Sequence, residues 1–392
     1  MVEMQDVRKI SLSSNFLSTD TKKIGVGVYF AGGGTGGHIY PALAVAQELL
    51  RAEPACKITF FCSDRPIDAR ILAGTDFCFI PLPVRSFSKN LYEMFLFLKS
   101  LSAAKKIVKQ TILAGRTEKS VLFSIGGFVS APAVFAAKDL KIPVAMLNID
   151  ATPGKANKLL ARYAKDIFVQ FEQTGRGFGS NRRKVTVTGC PLRSAFFNPD
   201  RNAVVTALNL SPKKKVLLVT GASGGAANIN NVIGYLLDRL EAFSADWQIV
   251  HLAGITHFDA VRIFYRQAKI NHAVLDYFDD MPNLLAAAEL VVGRAGAMSV
   301  AEFAASQTPA ICLPYPYHAD RHQKLNAQYL VQAGCGVIVD DLCDTEKTAG
   351  LLWPVLCELM SSDEKLQQMR QNCGRIVRPD AATRIAQKLL RY

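Results

Sequence analysis

Continuous apolar, β-branched runs alternate with helical patterns along almost the whole chain, and the alternation is stated twice. The first set of runs is Ile24–Ala31, Lys57–Cys62, Val121–Ser124, Pro143–Leu147, Asp166–Val169 and Val185–Val187. The second is Lys215–Thr220, Trp247–Leu252, Ala273–Leu275, Leu290–Gly293, Ala310–Leu313 and Val337–Val339. Strands that are apolar on both faces belong to parallel sheets with helices on each side. Helix candidates between them include Pro41–Arg51, Pro153–Tyr163, Asn228–Leu240, Ala297–Ala305 and His322–Ala333. The pattern restarts after the polar, proline-containing stretch "RSAFFNPDRNA" (193–203). The expected architecture is therefore α/β, with two doubly wound parallel-sheet domains at 23–197 and 198–392 behind a polar lead-in at 1–22. A last helix, Ala381–Arg391, is a candidate to pack back on the first domain.

Charge and cysteine usage narrow the class. A net charge of +13 suits nucleic acid, an anionic membrane or phosphorylated substrates. The first is disfavoured, because zinc-finger spacing, RNP-like aromatics and a long basic helix are all missing from the sequence. No apolar run reaches the roughly 20 residues of a membrane span. The N-terminus has no apolar h-region, so no secretory signal is expected. The nine cysteines are scattered, with no C-x-x-C pair, which fits a reduced, cytoplasmic setting and gives no support to a metal site.

Each half opens with a strand that runs into a glycine-rich turn, the expected place for phosphate or sugar in an open α/β sheet. The first, "GGGTGG" (Gly32–Gly37), satisfies G-x-G-x-x-G. Its acidic partner fails, because Asp64 stands well beyond the roughly 20-residue spacing of that motif. In the second half, "TGASGG" (Thr220–Gly225) with Tyr265 and Lys269 imitates a short-chain dehydrogenase, but the two elements lie too close in sequence. Tyr265 and Lys269 read as a solvated helix face. Two Rossmann-like lobes presenting amides and helix N-termini to one cleft suit two anionic substrates better than one dinucleotide.

Several motifs occur together and in order: "GGGTGGHIYPALAVAQEL" (32–49), "SIGGFVSAP" (124–132), "GCPLR" (189–193), "GASGGA" (221–226), "YFDDM" (277–281), "GRAGAMSVAE" (293–302) and "ADRHQKLNA" (319–327). Jointly they resemble the peptidoglycan N-acetylglucosaminyltransferases that convert lipid I to lipid II, across roughly residues 24–391. The resemblance implies a GT-B fold and inverting transfer of N-acetylglucosamine from UDP-N-acetylglucosamine to the C4 hydroxyl of undecaprenyl-diphosphate-linked N-acetylmuramic acid. No cofactor is implied, and any divalent cation would be non-essential. The same fold leaves three alternatives: a glycolipid synthase, a UDP-N-acetylglucosamine epimerase, or a nucleotide-sugar-binding protein that has lost catalysis.

Carried over by position, Glu302 becomes the ribose clamp, Ala297, Met298 and Ser299 offer the helix start to the donor diphosphate, and Val300 and Ala301 join them in the donor site. Ser223 and Arg193 add a hydroxyl and a forked cation. Phe278 reads uracil through its backbone with Met281 beside it, and His322 and Gln323 read the sugar hydroxyls. Thr35, Gly36, Gly37 and Asp150 complete the donor side. Gly33, Gly34, Thr35, Gly36, Gly37, His38, Gly126 and Gly127 form the expected cradle for the acceptor diphosphate. His38 and Asp150 are both candidate bases. Three positions depart from the family pattern: Asp150 and Cys190 stand where asparagine is usual, and Gly224 where glutamine is.

A lipid-linked acceptor requires contact with a bilayer. The segment 85–110 packs Leu91, Tyr92, Phe95 and Phe97 among Lys89 and Lys99, as interfacial helices on anionic lipid do. The competing reading buries this face in the core. The expected location is the cytoplasmic face of the inner membrane, as a peripheral protein, with other cell-wall synthesis and division proteins as candidate partners.

Overall fold

A computed structural model describes residues 25–34, 36–85, 90–222, 224–317 and 320–392, without the Leu91 side chain. Thr35, Lys89, Ser223 and the lead-in 1–22 lie outside the described residues. The first lobe is built on β1 (Val26–Gly32), β2 (Lys57–Ser63), β3 (Cys78–Leu82), β4 (Lys119–Gly126), β5 (Val144–Asn148), β6 (Asp166–Val169) and β7 (Val185–Val187). The second has β8 (Lys215–Thr220), β9 (Trp247–Leu252), β10 (His272–Leu275), β11 (Leu290–Gly293), β12 (Ala310–Cys312) and β13 (Gly336–Ile338). All pairings are parallel, in the orders β3-β2-β1-β4-β5-β6-β7 and β10-β9-β8-β11-β12-β13.

These orders explain where the glycines fall. Strand order reverses between β1 and β4 in one sheet and between β8 and β11 in the other, and a crevice opens at such a switch point. The turns after β1, β4, β8 and β11 carry Gly33–Gly34, Gly126–Gly127, Gly221–Gly225 and Gly296. Sequence patterning missed β3. It is an edge strand with little burial, and it carries Pro81, which an interior strand would not tolerate.

The lobes share one apolar core. Phe171, Cys190 and Leu192 pack in the same cluster as Met298, Val300 and Phe303. Phe171 meets the Tyr329 ring edge-on at 4.9 Å. Helix Ala381–Leu389 crosses back: its Ala382, Ile385, Ala386 and Leu389 fill the first lobe's core against helix Gly36–Ala52. Burying a side chain such as Ile385 or Leu389 contributes about 1.5–3 kcal/mol. Thr383 Oγ1 donates to Glu48 Oε2 at 2.9 Å, and Lys388 pairs with Asp166 at 3.4 Å.

Candidate active site

The first glycine turn leads from β1 into helix Gly36–Ala52, and its glycines answer to the protein's own packing. A Cβ on Gly33 would lie 2.1 Å from Asp68 Oδ2, and one on Gly127 would lie 3.1 Å from the Gly33 carbonyl oxygen. Sequence reasoning bares this loop for a diphosphate; a buried carboxylate and the neighbouring loop fill that space instead. Two of the expected phosphate donors are likewise engaged. The Gly34 N–H donates to Asp68 Oδ1 at 2.9 Å and Oδ2 at 2.7 Å, and the Gly126 N–H donates to Ser130 Oγ at 3.1 Å. What remains for an anion is the start of the helix, whose first amides have no acceptor four residues back. Gly36 and Gly37 from that turn face the cleft.

A cavity of about 360 Å³ lies between the lobes. On the first lobe its wall includes Gly36, Gly37, His38, Tyr40 and Asp150. On the second it includes Phe278, Met281, Glu302, His322 and Gln323, with Ala297, Met298 and Ser299 at the start of helix Ala297–Ala305. Val300 does not belong with them. Its side chain is in the core and its amide donates to the Gly296 carbonyl at 3.0 Å, as the fourth residue of a helix must. Ala301 packs against the same core and is absent from the cavity wall.

Arg193 stands behind this wall. Its guanidinium lies 4.7 Å from the centre of the Tyr40 ring and 5.7 Å from that of Phe196. Its Nε is buried with no acceptor among the described residues. Burial pushes the Glu302 carboxyl up to about 7, against the pull of the Arg193 charge. Burial lowers the pKa of His38, opposed by the carboxylates of Asp150 and Asp68, so the imidazole is neutral at physiological pH. His38 Nε2 lies 3.5 Å from where a Gly126 Cβ would be, beside Asn157. The Gln323 Oε1 accepts the Tyr315 N–H at 2.9 Å, which turns its NH2 outward as a donor.

Sequence reasoning missed the side chains that hold the two walls together. Asn326 is fully buried, and its Oδ1 accepts the Ala151 N–H at 2.8 Å. Its Nδ2 donates to Asp150 Oδ1 at 3.1 Å and to the Ala295 carbonyl at 3.2 Å. One amide thus ties the loop after β5 to the turn after β11. Gln170 Nε2 donates to the Ala297 carbonyl at 3.3 Å, and the hydroxyls of Tyr40 and Tyr277 meet across the cleft at 3.3 Å. Cys190 and Met298 bring their sulfurs to 3.8 Å, so the cysteine departure belongs to the seam between lobes. Asn326 lies inside a motif already picked out by sequence, but nothing local marks its partners.

The imitation dehydrogenase pair is also resolved. Tyr265 is not solvated; it is buried, with its hydroxyl 2.8 Å from His251 Nδ1, while the exposed Lys269 pairs with Glu241 at 3.7 Å.

Helix Leu91–Gly115 carries two apolar faces. Ala104, Val108 and Ile112 are buried in the first lobe's core. Tyr92, Phe95 and Leu98, spaced three apart on the other side, are 68%, 63% and 57% exposed. Phe97 is half-buried and Lys99 exposed. No described helix is long and apolar enough to cross a membrane, and no described group of three or more His, Cys, Asp or Glu could hold a metal ion.

Comparison with known proteins agrees with this geometry. Residues 28–169 match the glycosyltransferase family 28 N-terminal domain, and residues 216–385 match the family 28 C-terminal domain. The chain is 33% identical over 364 residues to the UDP-N-acetylglucosamine–N-acetylmuramyl-(pentapeptide) pyrophosphoryl-undecaprenol N-acetylglucosamine transferase of Carboxydothermus hydrogenoformans, covering 91% of this chain and 95% of that one. It is 33% identical to the enzyme of the same name from Halothermothrix orenii, covering 89% and 94%. In fold it is similar to the crystal structure of MurG from Acinetobacter baumannii, with a TM-score of 0.69 at 24% identity, covering 94% of this chain and 100% of that one. A UDP-N-acetylglucosamine 2-epimerase fold from Listeria monocytogenes reaches 0.65 at 16% identity, covering 93% and 95%. With two family 28 domains and relatives matched along nearly their whole length, the chain belongs to the glycosyltransferase family 28 enzymes named as UDP-N-acetylglucosamine–N-acetylmuramyl-(pentapeptide) pyrophosphoryl-undecaprenol N-acetylglucosamine transferases.

Proposed function

We propose that this chain transfers N-acetylglucosamine from UDP-N-acetylglucosamine to the C4 hydroxyl of N-acetylmuramic acid on an undecaprenyl-diphosphate carrier, with inversion at the anomeric carbon. One observation carries the reading: the Glu302 carboxylate and the amides opening helix Ala297–Ala305 face the amides opening helix Gly36–Ala52 across one cavity. Two helix starts facing each other suit two diphosphates, because each presents unpaired N–H groups and the positive end of its dipole. In this reading the donor lies on the second lobe. Glu302 accepts the two ribose hydroxyls, the Phe278 backbone meets uracil, and Gln323 donates to the sugar.

The acceptor diphosphate lies over Gly36 and Gly37, with its sugar toward His38. His38, neutral and flanked by Asp150 and Asp68, accepts the hydroxyl proton as the bond to the anomeric carbon forms. The two carboxylates then stabilise the imidazolium. The departing UDP meets the helix start, and the guanidinium charge of Arg193, against Tyr40 behind the wall, favours the developing negative charge. Positive charge for the leaving group thus comes from protein groups, and the reading asks for no resident metal.

Transfer of radiolabel from UDP-N-acetylglucosamine to a lipid I analogue tests the proposal. Labelled disaccharide lipid supports it. Formation of the C2-epimeric UDP-sugar without acceptor would favour an epimerase, and tight UDP binding without turnover would favour a protein that has lost catalysis.

A carrier buried in lipid brings the first lobe to the cytoplasmic face of the membrane, and the exposed Tyr92–Phe95–Leu98 stripe is our choice for the contact. Full burial of one such side chain contributes roughly 1.5–3 kcal/mol. Replacing Tyr92 and Phe95 together with serine should therefore weaken binding to anionic vesicles about 10²-fold, leaving turnover of a water-soluble acceptor unchanged. Unaltered vesicle sedimentation would retire the assignment.

A further inference from the structure

The junction of β2 with helix Pro66–Ala73, residues Ser63–Asp68, enters the chemistry above only through the charge of Asp68 beside His38, yet it also grips the first glycine turn from behind. Asp68 is fully buried. It accepts four contacts: the Gly34 N–H at both oxygens (2.9 and 2.7 Å), the Ser63 N–H at 2.9 Å and the Ser63 hydroxyl at 2.6 Å. From the same segment, Arg65 Nη1 donates to the Gly34 carbonyl at 3.0 Å. Its guanidinium also lies 5.7 Å from the centre of the Phe128 ring, in the glycine turn after β4. Both backbone polar groups of Gly34 are therefore held by side chains of opposite charge, and the second glycine turn is tied to the same cation.

Gly34 has φ +93°, a conformation that side-chain-bearing residues rarely adopt, and successive amides in such turns make a concave anion site. In this chain the protein supplies the anion itself. A carboxylate held by the Gly34 N–H and by the N–H and O–H of Ser63 occupies that place. Its negative charge also opposes a ligand phosphate there.

We propose that Asp68 and Arg65 are positioning residues for acceptor recognition: they lock the Gly34 peptide, close the anion site beneath it, and leave the first turn of helix Gly36–Ala52 as the landing point for the acceptor's diphosphate. The assignment rests on the transferase reading above. Neither residue touches the donor side, where the wall is formed by Glu302, Phe278 and Gln323. Releasing the loop should harm one substrate only.

The test is steady-state kinetics with UDP-N-acetylglucosamine and a soluble lipid I analogue, using Asp68→Asn, Arg65→Ala and Arg65→Lys. A misplacement on the order of 1 Å at a reacting site costs about 10²-fold. Asp68→Asn and Arg65→Ala should accordingly lower kcat/KM for the acceptor roughly 10- to 100-fold while the donor KM stays unchanged. Arg65→Lys, which can still donate to the Gly34 carbonyl, should recover most of the loss. Arg65 is exposed, so its variants report even where a change at buried Asp68 unfolds the lobe. Hydrogen exchange adds a direct readout: the Gly34 amide should be protected in the unmodified protein and exposed in Asp68→Asn. A folded Arg65→Ala with an unaltered kcat/KM for the acceptor overturns the proposal, as does a donor KM that rises in step. An unmodified chain that transfers nothing overturns the transferase reading itself, and the assignment with it. The wild-type rate and the variant ratios thus separate the two failures.

Discussion

Glu302→Gln raises the KM for UDP-N-acetylglucosamine by roughly 10- to 100-fold and removes the pH dependence of donor binding; that is the first expected result. Hydrogen bonds to a charged group contribute about 1.5–3 kcal/mol, and each 1.4 kcal/mol is a factor of ten. The carboxylate can accept from both ribose hydroxyls, whereas the amide offers one oxygen and turns a donor toward the second. The pH dependence follows from burial, which sets the Glu302 carboxyl at about 7 despite the nearby Arg193. Above that value the group is ionised and donor binding is at its strongest. As pH falls through it, the proton occupies an acceptor position and affinity declines. Calorimetric titration of UDP across neutrality reads this directly. A wild-type affinity that is flat with pH, or a glutamine variant that keeps the slope, would place the ribose elsewhere.

The second large effect is on turnover. His38→Ala should lower kcat by about 10²- to 10⁴-fold, the usual contribution of a general base, with the donor KM little changed. Burial holds the imidazole neutral, so kcat should be flat through neutrality and fall only on the acid side, below the ordinary histidine range. Asp150→Asn makes the control. It removes one of the two carboxylates that favour the imidazolium, so the acid limb should move to still lower pH while kcat falls less than in His38→Ala. A greater loss in Asp150→Asn would transfer the role of base to Asp150, and an effect of His38→Ala on acceptor KM alone would make the imidazole a binding group.

What could be read from the sequence follows physical lines. Strands such as Trp247–Leu252 are buried at every position, so a continuous apolar run was enough to find them. Cys78–Leu82 is half in solvent and carries Pro81, so neither its composition nor its period marked it. At the site, Glu302 and the helix start at Ala297 share one motif, Gln323 lies in another, and the cavity gathers them. Asp68 and Asn326 were illegible because each binds a main-chain amide far away in sequence: Gly34 is 34 residues from Asp68, and Ala151 is 175 from Asn326. The glycines of the first turn carried a real signal that admitted two causes. An approaching ligand and an approaching carboxylate both forbid a Cβ, and only coordinates tell them apart.

Helix Ala381–Leu389 has a bearing on biosynthesis. Translation delivers the first lobe well before the residues that cover its hydrophobic side next to Gly36–Ala52, and a nascent domain ordinarily folds as it emerges. Here the lobe made first is finished last, its surface sealed only when the ribosome has passed Leu389. Until then the apolar side of that lobe stands open to water, and exposed surface of this kind is what makes a partly folded chain prone to aggregate.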